Sequence, residues 1–246
     1  MKNFEKFIID CKSINIDLAE KQLNQFDQYY DLLIKWNDVM NLTTITDFED
    51  VCKLHFLDSL VATVYFDFQQ KDNLSLIDIG TGAGFPGIPL KIIYPNLNIT
   101  LFDSLQKRLN FLNEVIDVLQ LNNEVGSIET VHGRAEDFAE KKKGTLREKY
   151  DICCARAVAN MSTLSEYCLP YVKTGGTFIA YKSNKLNDEM VNARKAVHLL
   201  GGKVDKIQEL MLPNSDIERN IVIIKKIEPT SKIYPRKAGL PSKSPL

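Results

Sequence analysis

The chain has 246 residues, 44% of them apolar, and a formal net charge of −1. That length suits one α/β domain with an added element and leaves too little for two full-sized domains, and the near-zero charge gives no compositional case for a nucleic-acid partner. The five cysteines, Cys11, Cys52, Cys153, Cys154 and Cys168, contain no C-x-x-C pair. An odd count behind a polar start, with no apolar run of membrane-spanning length, predicts free thiols in a cytoplasmic protein without membrane attachment.

Residues 1–71 carry 7 lysines against 12 acids and read as helical. From Leu18 to Asn37, the residues Leu23, Phe26, Tyr29, Tyr30, Leu33, Ile34 and Trp36 recur at steps near three and four, one apolar stripe facing a core. Asp17 with Glu20 has the spacing of a capping box. Asn41 to Asp47 is poor in helix formers and reads as a loop, with Asn41 as its cap. A second helix is expected from about Phe48 to Phe66. On it His55 and Asp58 share a face at i, i+3, which suggests a hydrogen-bonded pair bracing the helices. Lys71-Asp72-Asn73 marks a boundary.

Leu74 to Ile79 then reads as a buried parallel strand, and Gly80-Thr81-Gly82-Ala83-Gly84-Phe85-Pro86-Gly87 as a glycine loop opening a helix. Two cofactors compete for it. Gly82, Gly84 and Gly87 satisfy G-x-G-x-x-G, the dinucleotide fingerprint. The fuller Asp-x-Gly-x-Gly-x-Gly, led by Asp78, resembles the first motif of class I S-adenosylmethionine-dependent methyltransferases. A pyrophosphate needs bare N–H groups and a helix dipole, whereas the ammonium group of a methionine moiety is helped by a carboxylate, so Asp78 favours the second.

Beyond the loop, units alternate as a doubly wound sheet requires. A short helix ends at Pro95, and strand Ile99–Asp103 ends in an acid 23 residues after Gly80, near the offset at which a carboxylate meets ribose hydroxyls. A helix from Leu105 to Leu119 precedes strand Ile128–His132 and the loop Gly133 to Phe138, which borders an adenine in this architecture and offers Glu136. Then follow a charged connection, Glu140 to Lys149, strand Tyr150–Val158, helix Met161–Leu169, a turn at Gly175-Gly176, strand Thr177–Lys182 and helix Leu186–Leu200. Two last strands, Val204–Leu210 and Arg219–Lys225, have no helix between them and predict an antiparallel final hairpin, which suits a methyltransferase sheet better than a dehydrogenase. The last 18 residues hold Lys232, Arg236, Lys237 and Lys243, no acid and several prolines. That composition resists helix and suits either a phosphate backbone or a soluble terminus.

The residues after the fourth strand decide what is attacked. Ala155-Arg156-Ala157-Val158 stands where an exocyclic base amine is usually handled by an Asn/Asp-Pro-Pro-aromatic loop, and Cys153 and Cys154 lie in an apolar strand unlike a reactive thiol. A ring nitrogen such as guanine N7 already presents a lone pair and needs only alignment in a water-poor pocket. His55, His132 and His198 have no metal-ligand spacing, so no metal is expected.

With Trp36-Asn37, Asn41-Leu42-Thr43, His55 to Ser59, Asp78 to Pro89, Asp103-Ser104 with Lys107-Arg108, Arg134-Ala135-Glu136, Ala155-Arg156-Ala157 and Tyr234 to Lys237, nearly the whole chain resembles the RsmG (GidB) family of bacterial 16S ribosomal RNA guanine-N7 methyltransferases. The resemblance implies a Rossmann-like class I fold, S-adenosylmethionine as donor, S-adenosylhomocysteine as product, and 16S RNA or the small subunit as partner of a monomer. It also implies cofactor contacts at Gly80, Phe85, Ala135, Glu136 and Arg156. To these the residue reading adds Asp78, Gly82, Gly84 and Asp103, and the family motif Asp103-Ser104 adds Ser104. Arg156, Lys182, His55 and Asn41 are candidates for positioning the base, and Arg134, Lys182, Arg236 and Lys237 for RNA phosphates. The chain has Tyr181-Lys182-Ser183 where the family often shows Leu-Lys-Gly. The expected division is a helical extension over 1–71, a methyltransferase domain over 72–228 and a basic tail over 229–246. The alternatives are an NAD-type oxidoreductase, a non-catalytic RNA- or ribosome-binding module of the same fold, and a small-molecule methyltransferase.

Overall fold

A computed structural model describes residues 2–122, 125–140, 144–156, 158–183 and 186–246. Seven strands, β1 (Ser75–Ile79), β2 (Asn98–Asp103), β3 (Ile128–His132), β4 (Tyr150–Arg156), β5 (Val172–Lys182), β6 (Gly202–Met211) and β7 (Glu218–Lys226), form one sheet in the order β3-β2-β1-β4-β5-β7-β6. The first five are parallel, and β7 runs antiparallel between β5 and β6. Strand pairing jumps from Tyr150↔Val172 to Ile152↔Thr177, so the expected turn at Gly175-Gly176 survives as a bulge inside a longer β5.

Side chains alternate across the strands and feed two cores. Leu76, Ile99 and Ile179 pack with Phe7, Phe26, Phe56 and Phe111 from the helices on one face. Ile77, Phe102 and Phe178 pack on the other with Met161, Leu164 and Met190. The N-terminal helices α1 (Glu5–Ser13) and α2 (Glu20–Met40) thus share a core with the sheet. Fully burying a phenylalanine such as Phe26 or Phe56 stabilises by about 1.5–3 kcal/mol.

Two helix readings are corrected. Asp17 does not cap α2; its N-cap is Ala19, whose N–H is taken by the Gln22 side chain at 2.9 Å while Gln22 also donates to Ile92 O. A residue that caps and ties the helix to a neighbour displaces one that only caps. Nor is 48–66 one regular helix: α3 (Phe48–Val51) passes through a π-helical turn (Cys52–Leu57) into α4 (Asp58–Leu60) and a 3₁₀ turn (Val61–Val64). Side chains intercept its carbonyls, since Arg156 Nη1 donates to Leu54 O at 3.1 Å and the Ser59 hydroxyl to His55 O at 2.6 Å.

The remaining helices are α5 (Gly87–Ile93), α6 (Gln106–Val118), α7 (Ala135–Phe138), α8 (Met161–Cys168), α9 (Leu186–Leu199) and α10 (Leu240–Lys243). The tail therefore ends in a short helix despite its prolines. All five cysteines are buried free thiols, and burial pushes Cys153 and Cys154 well above the ordinary thiol range. No helix among the described residues is long and apolar enough to cross a membrane.

Candidate active site

The glycine loop is tied down by two carboxylates. Asp78, fully buried on β1, accepts from the Thr81 hydroxyl at 2.7 Å and from Gly87 N–H at 2.9 Å, both on Oδ2. Asp103, at the end of β2, accepts from Gly82 N–H at 3.0 Å and Leu105 N–H at 2.9 Å, with Arg108 at 3.3 Å. Gly84 sits at φ +98, and a Cβ there would meet the Tyr29 hydroxyl and Ile88 at 2.6 Å; the loop lies too close to α2 for any side chain. Burial pushes the Asp78 carboxyl up to about 6, which leaves it ionised at neutral pH.

This geometry separates the two cofactor classes. A pyrophosphate bound in the dinucleotide manner takes free N–H groups at the helix N-terminus. Here Gly87 N–H is already given to Asp78, Ile88 N–H to Gly84 O at 2.8 Å, and Pro89 has none. Anionic Asp78 also occupies the place where a phosphate would need positive potential.

A crevice of about 400 Å³ opens over the carboxyl ends of β1, β2 and β3. Gly80, Asp103, Ser104, Ala135 and Glu136 line it, as does Arg134, which is exposed at its rim. A Cβ on Gly80 would come 2.8 Å from Val158, so the glycine keeps that passage open. The residues fit a cationic S-adenosyl nucleoside. Asp103 Oδ1, which accepts one hydrogen bond, retains a lone pair at the crevice wall, and Asp78 Oδ1, below the loop, has no hydrogen-bond partner among the described residues.

Five expected cofactor residues do not line the crevice, Asp78 among them because it is buried beneath the loop. Gly82 and Gly84 shape the loop, and Phe85 is packed away, its ring stacked on His55 (centroids 4.7 Å apart) and 4.9 Å from the Arg156 guanidinium carbon. Arg156 lines a second cavity of about 340 Å³ over the ends of β4 and β5, with His55, Asp58, Tyr181, Lys182 and Arg219. There Asp58 binds two guanidiniums, Arg156 Nη1 at 2.9 Å and Arg219 Nε at 2.8 Å. His55 and Asp58 are thus joined through Arg156 rather than to each other, because its charge outcompetes a neutral ring for the carboxylate.

Burial, and then the Arg156 charge, hold His55 down at about 4. Arg156 Nη2 faces His55 Nδ1 at 3.4 Å and can only donate, so the proton of the neutral ring is on Nε2, 2.8 Å from the Thr43 hydroxyl. Asn41 is the left-handed residue (φ 50) that ends α2, and it leads into the turn presenting Thr43. Lys182 is paired with Glu189 at 2.7 Å and donates to Ala159 O at 2.9 Å, and Arg236 is bound to buried Glu166. Each of these two charges is paired with a carboxylate; Lys237 is exposed. Ala157 lies outside the described residues. Among the described residues no group of three His, Cys, Asp or Glu side chains is placed to hold a metal.

Sequence reasoning missed Arg219, Tyr167, Gly239 and Ser242. The antiparallel hairpin was the available signal for Arg219, because it brings the start of β7 beside the end of β5, with Lys182↔Asn220 in register. The three others carry no local signal.

A family model described as "rRNA small subunit methyltransferase G" (GidB) matches residues 22–222. The chain belongs to this family. It is 52% identical over 246 residues to the ribosomal RNA small subunit methyltransferase G of Lachnoclostridium phytofermentans, covering all of this chain and 98% of that one. Its identity to the protein of the same name from Staphylococcus carnosus is 51% over 232 residues, 94% of each. Among solved structures, a methyltransferase from Pyrococcus furiosus matches 82% of this chain and 98% of its own (TM-score 0.53, 14% identity). A SAM-dependent methyltransferase from Aquifex aeolicus matches 75% and 96% (TM-score 0.51, 14% identity). The fold is that of the class I methyltransferases.

Proposed function

We propose that the chain transfers a methyl group from S-adenosylmethionine to N7 of a guanine in 16S ribosomal RNA. The observation that carries the cofactor half is the helix start after the glycines, where every early N–H is spent and a buried carboxylate stands. That arrangement repels a dinucleotide and suits a sulfonium nucleoside. Family membership supplies the RNA half.

Bound in the crevice, S-adenosylmethionine supplies an electrophilic methyl group. Asp103 would receive a sugar hydroxyl and Glu136 a donor on the base, and Asp103 at the wall with Asp78 beneath the loop would place negative charge near a cationic ligand. The target base enters the second cavity. Guanine N7 has no proton to lose, which agrees with His55 being neutral and engaged at both nitrogens, and with thiols held protonated by burial. Work on the base is then alignment, done by Arg156, Arg219 and the Tyr181–Ser183 strand end around Asp58, and the carboxylates tolerate the positive charge the ring gains. Arg134, exposed at the rim, is the phosphate candidate among the residues that line the crevice.

Incubating the purified chain with labelled S-adenosylmethionine and small subunits from a strain lacking the enzyme should place one N7-methylguanosine in 16S RNA, mapped by mass spectrometry of nuclease fragments. Tight S-adenosylhomocysteine binding without label transfer favours the non-catalytic module; tighter binding of a dinucleotide favours the oxidoreductase.

A further inference from the structure

The crevice is not closed by the loops of the sheet alone. Tyr167 of α8 and Gly239 and Ser242 of the terminal segment complete its lining. We propose that this terminal segment is a built part of the nucleoside site, forming its outer wall and orienting Glu136, and is not an arm for RNA phosphates. The proposal rests on the reading of the crevice as the S-adenosylmethionine site.

Three sets of bonds seat the segment. At its root, buried Thr230 donates its N–H to Glu148 at 2.7 Å and its hydroxyl to Leu200 O at 2.8 Å, while the Arg147 guanidinium holds the carbonyls of Thr230 at 2.6 Å and Tyr234 at 2.7 Å. In the middle, Arg236 grips the fully buried carboxylate of Glu166 through Nε at 2.9 Å and Nη2 at 2.6 Å, and its own backbone N–H adds a third bond at 2.8 Å. Paired charges of this kind, with one partner dry, hold a segment firmly because separation strands a carboxylate. At the tip, Gly239 N–H donates to Glu136 Oε1 at 2.8 Å, the Thr163 hydroxyl to Pro241 O at 3.0 Å and the Ser242 hydroxyl to Gly239 O at 3.1 Å.

The bond from Gly239 matters most to a ligand. Glu136 lines the crevice, and engaging Oε1 fixes the plane of its carboxylate, with Oε2 as the acceptor for a donor on a bound purine. A pre-oriented acceptor loses less freedom on binding than a mobile one. A nucleoside touching Gly239 and Ser242 also binds only the seated form, so it must stabilise the seating by mass action.

The test uses the intact chain and a chain ending at Ala238, which keeps the Arg147 and Arg236 anchors and removes Gly239 to Leu246. Calorimetry should give the shortened chain an S-adenosylhomocysteine Kd about tenfold higher, as expected for losing an oriented charge-assisted hydrogen bond. The intact chain carrying Lys232→Gln, Lys237→Gln and Lys243→Gln, which keeps the Arg147 and Arg236 anchors, should bind a 16S RNA fragment without cofactor within about twofold of the unsubstituted chain. On the intact chain, saturating S-adenosylhomocysteine should slow trypsin cleavage after Lys237 and Lys243, a readout that does not depend on the shortened chain folding. Equal cofactor affinity in both chains, with unprotected lysines, overturns the proposal and leaves the crevice assignment standing. Loss of RNA affinity alone returns the tail to phosphate binding and also overturns it. An intact chain that binds no S-adenosylhomocysteine overturns both the proposal and the assignment beneath it.

Discussion

The glycine loop at the floor of the crevice is held by carboxylates from within a short stretch of chain, whereas the cavity over β4, β5 and β7 is made of charges from far-apart segments. In the first, Asp78 reaches residues 3 and 9 positions away and Asp103 one 21 positions away. In the second, Asp58 pairs with arginines 98 and 161 positions distant. The difference is chemical as well as topological. A nucleoside needs a shaped slot with a few fixed acceptors, which a loop supplies. A base arriving on a polyanion needs directional donors that do not trap phosphate, and pairing Arg156 and Arg219 on Asp58 keeps their N–H groups while cancelling much of their charge.

The sharpest way to break this contrast is Asp58→Ala. It strands two largely buried guanidiniums, so it should cost about 3–5 kcal/mol in urea unfolding. S-adenosylhomocysteine affinity of the still-folded fraction should change little; a large loss there would mean the two cavities are one.

Next comes acid. His55 has its folded-state pKa lowered to about 4 from an ordinary 6.5, so the unfolded chain binds the extra proton first. Its contribution to stability is complete above about 6.5 and is lost as pH falls toward 4, up to about 3 kcal/mol. Asp78, raised to about 6 by burial, works in the opposite sense, favouring the folded chain as pH falls from about 6 toward 4. Replacing His55 with Gln should therefore make the chain less acid-sensitive than the wild type between pH 6.5 and 4, as followed by urea melts. An unchanged pH profile contradicts a neutral, buried His55.

Asp103→Ala probes the first cavity directly. It should weaken S-adenosylhomocysteine by about 1.5–3 kcal/mol, roughly 10- to 150-fold, measured by calorimetry. The smallest effect belongs to Arg134→Ala at the exposed rim. Cofactor affinity and melting temperature should hold, while the slope of log K for RNA against log salt falls by about 0.7–1. An unaltered slope removes Arg134 from the RNA contacts.

How much of this was readable follows from the same distances. The strand, the glycines and Asp103 announce themselves because their partners lie within one βα unit, where spacing alone brings them together. Asp17 failed as a cap because Gln22 also had Ile92 to bind, a neighbour 70 positions away. Arg156 carries both a cofactor and a base-positioning reading, and Lys182 both a base-positioning and a phosphate reading, because a cation in a sequence shows its charge and not its counter-ion.

Local order, meaning the α/β alternation, the loop and its acidic anchors, was written in the amino-acid sequence, since backbone conformation and hydrophobic period depend on near neighbours. Which charges meet, and that the terminal segment returns to wall the crevice, was decided only when the sheet set distant segments side by side. Pairing energy falls off over a few ångströms of space and is blind to distance along the chain.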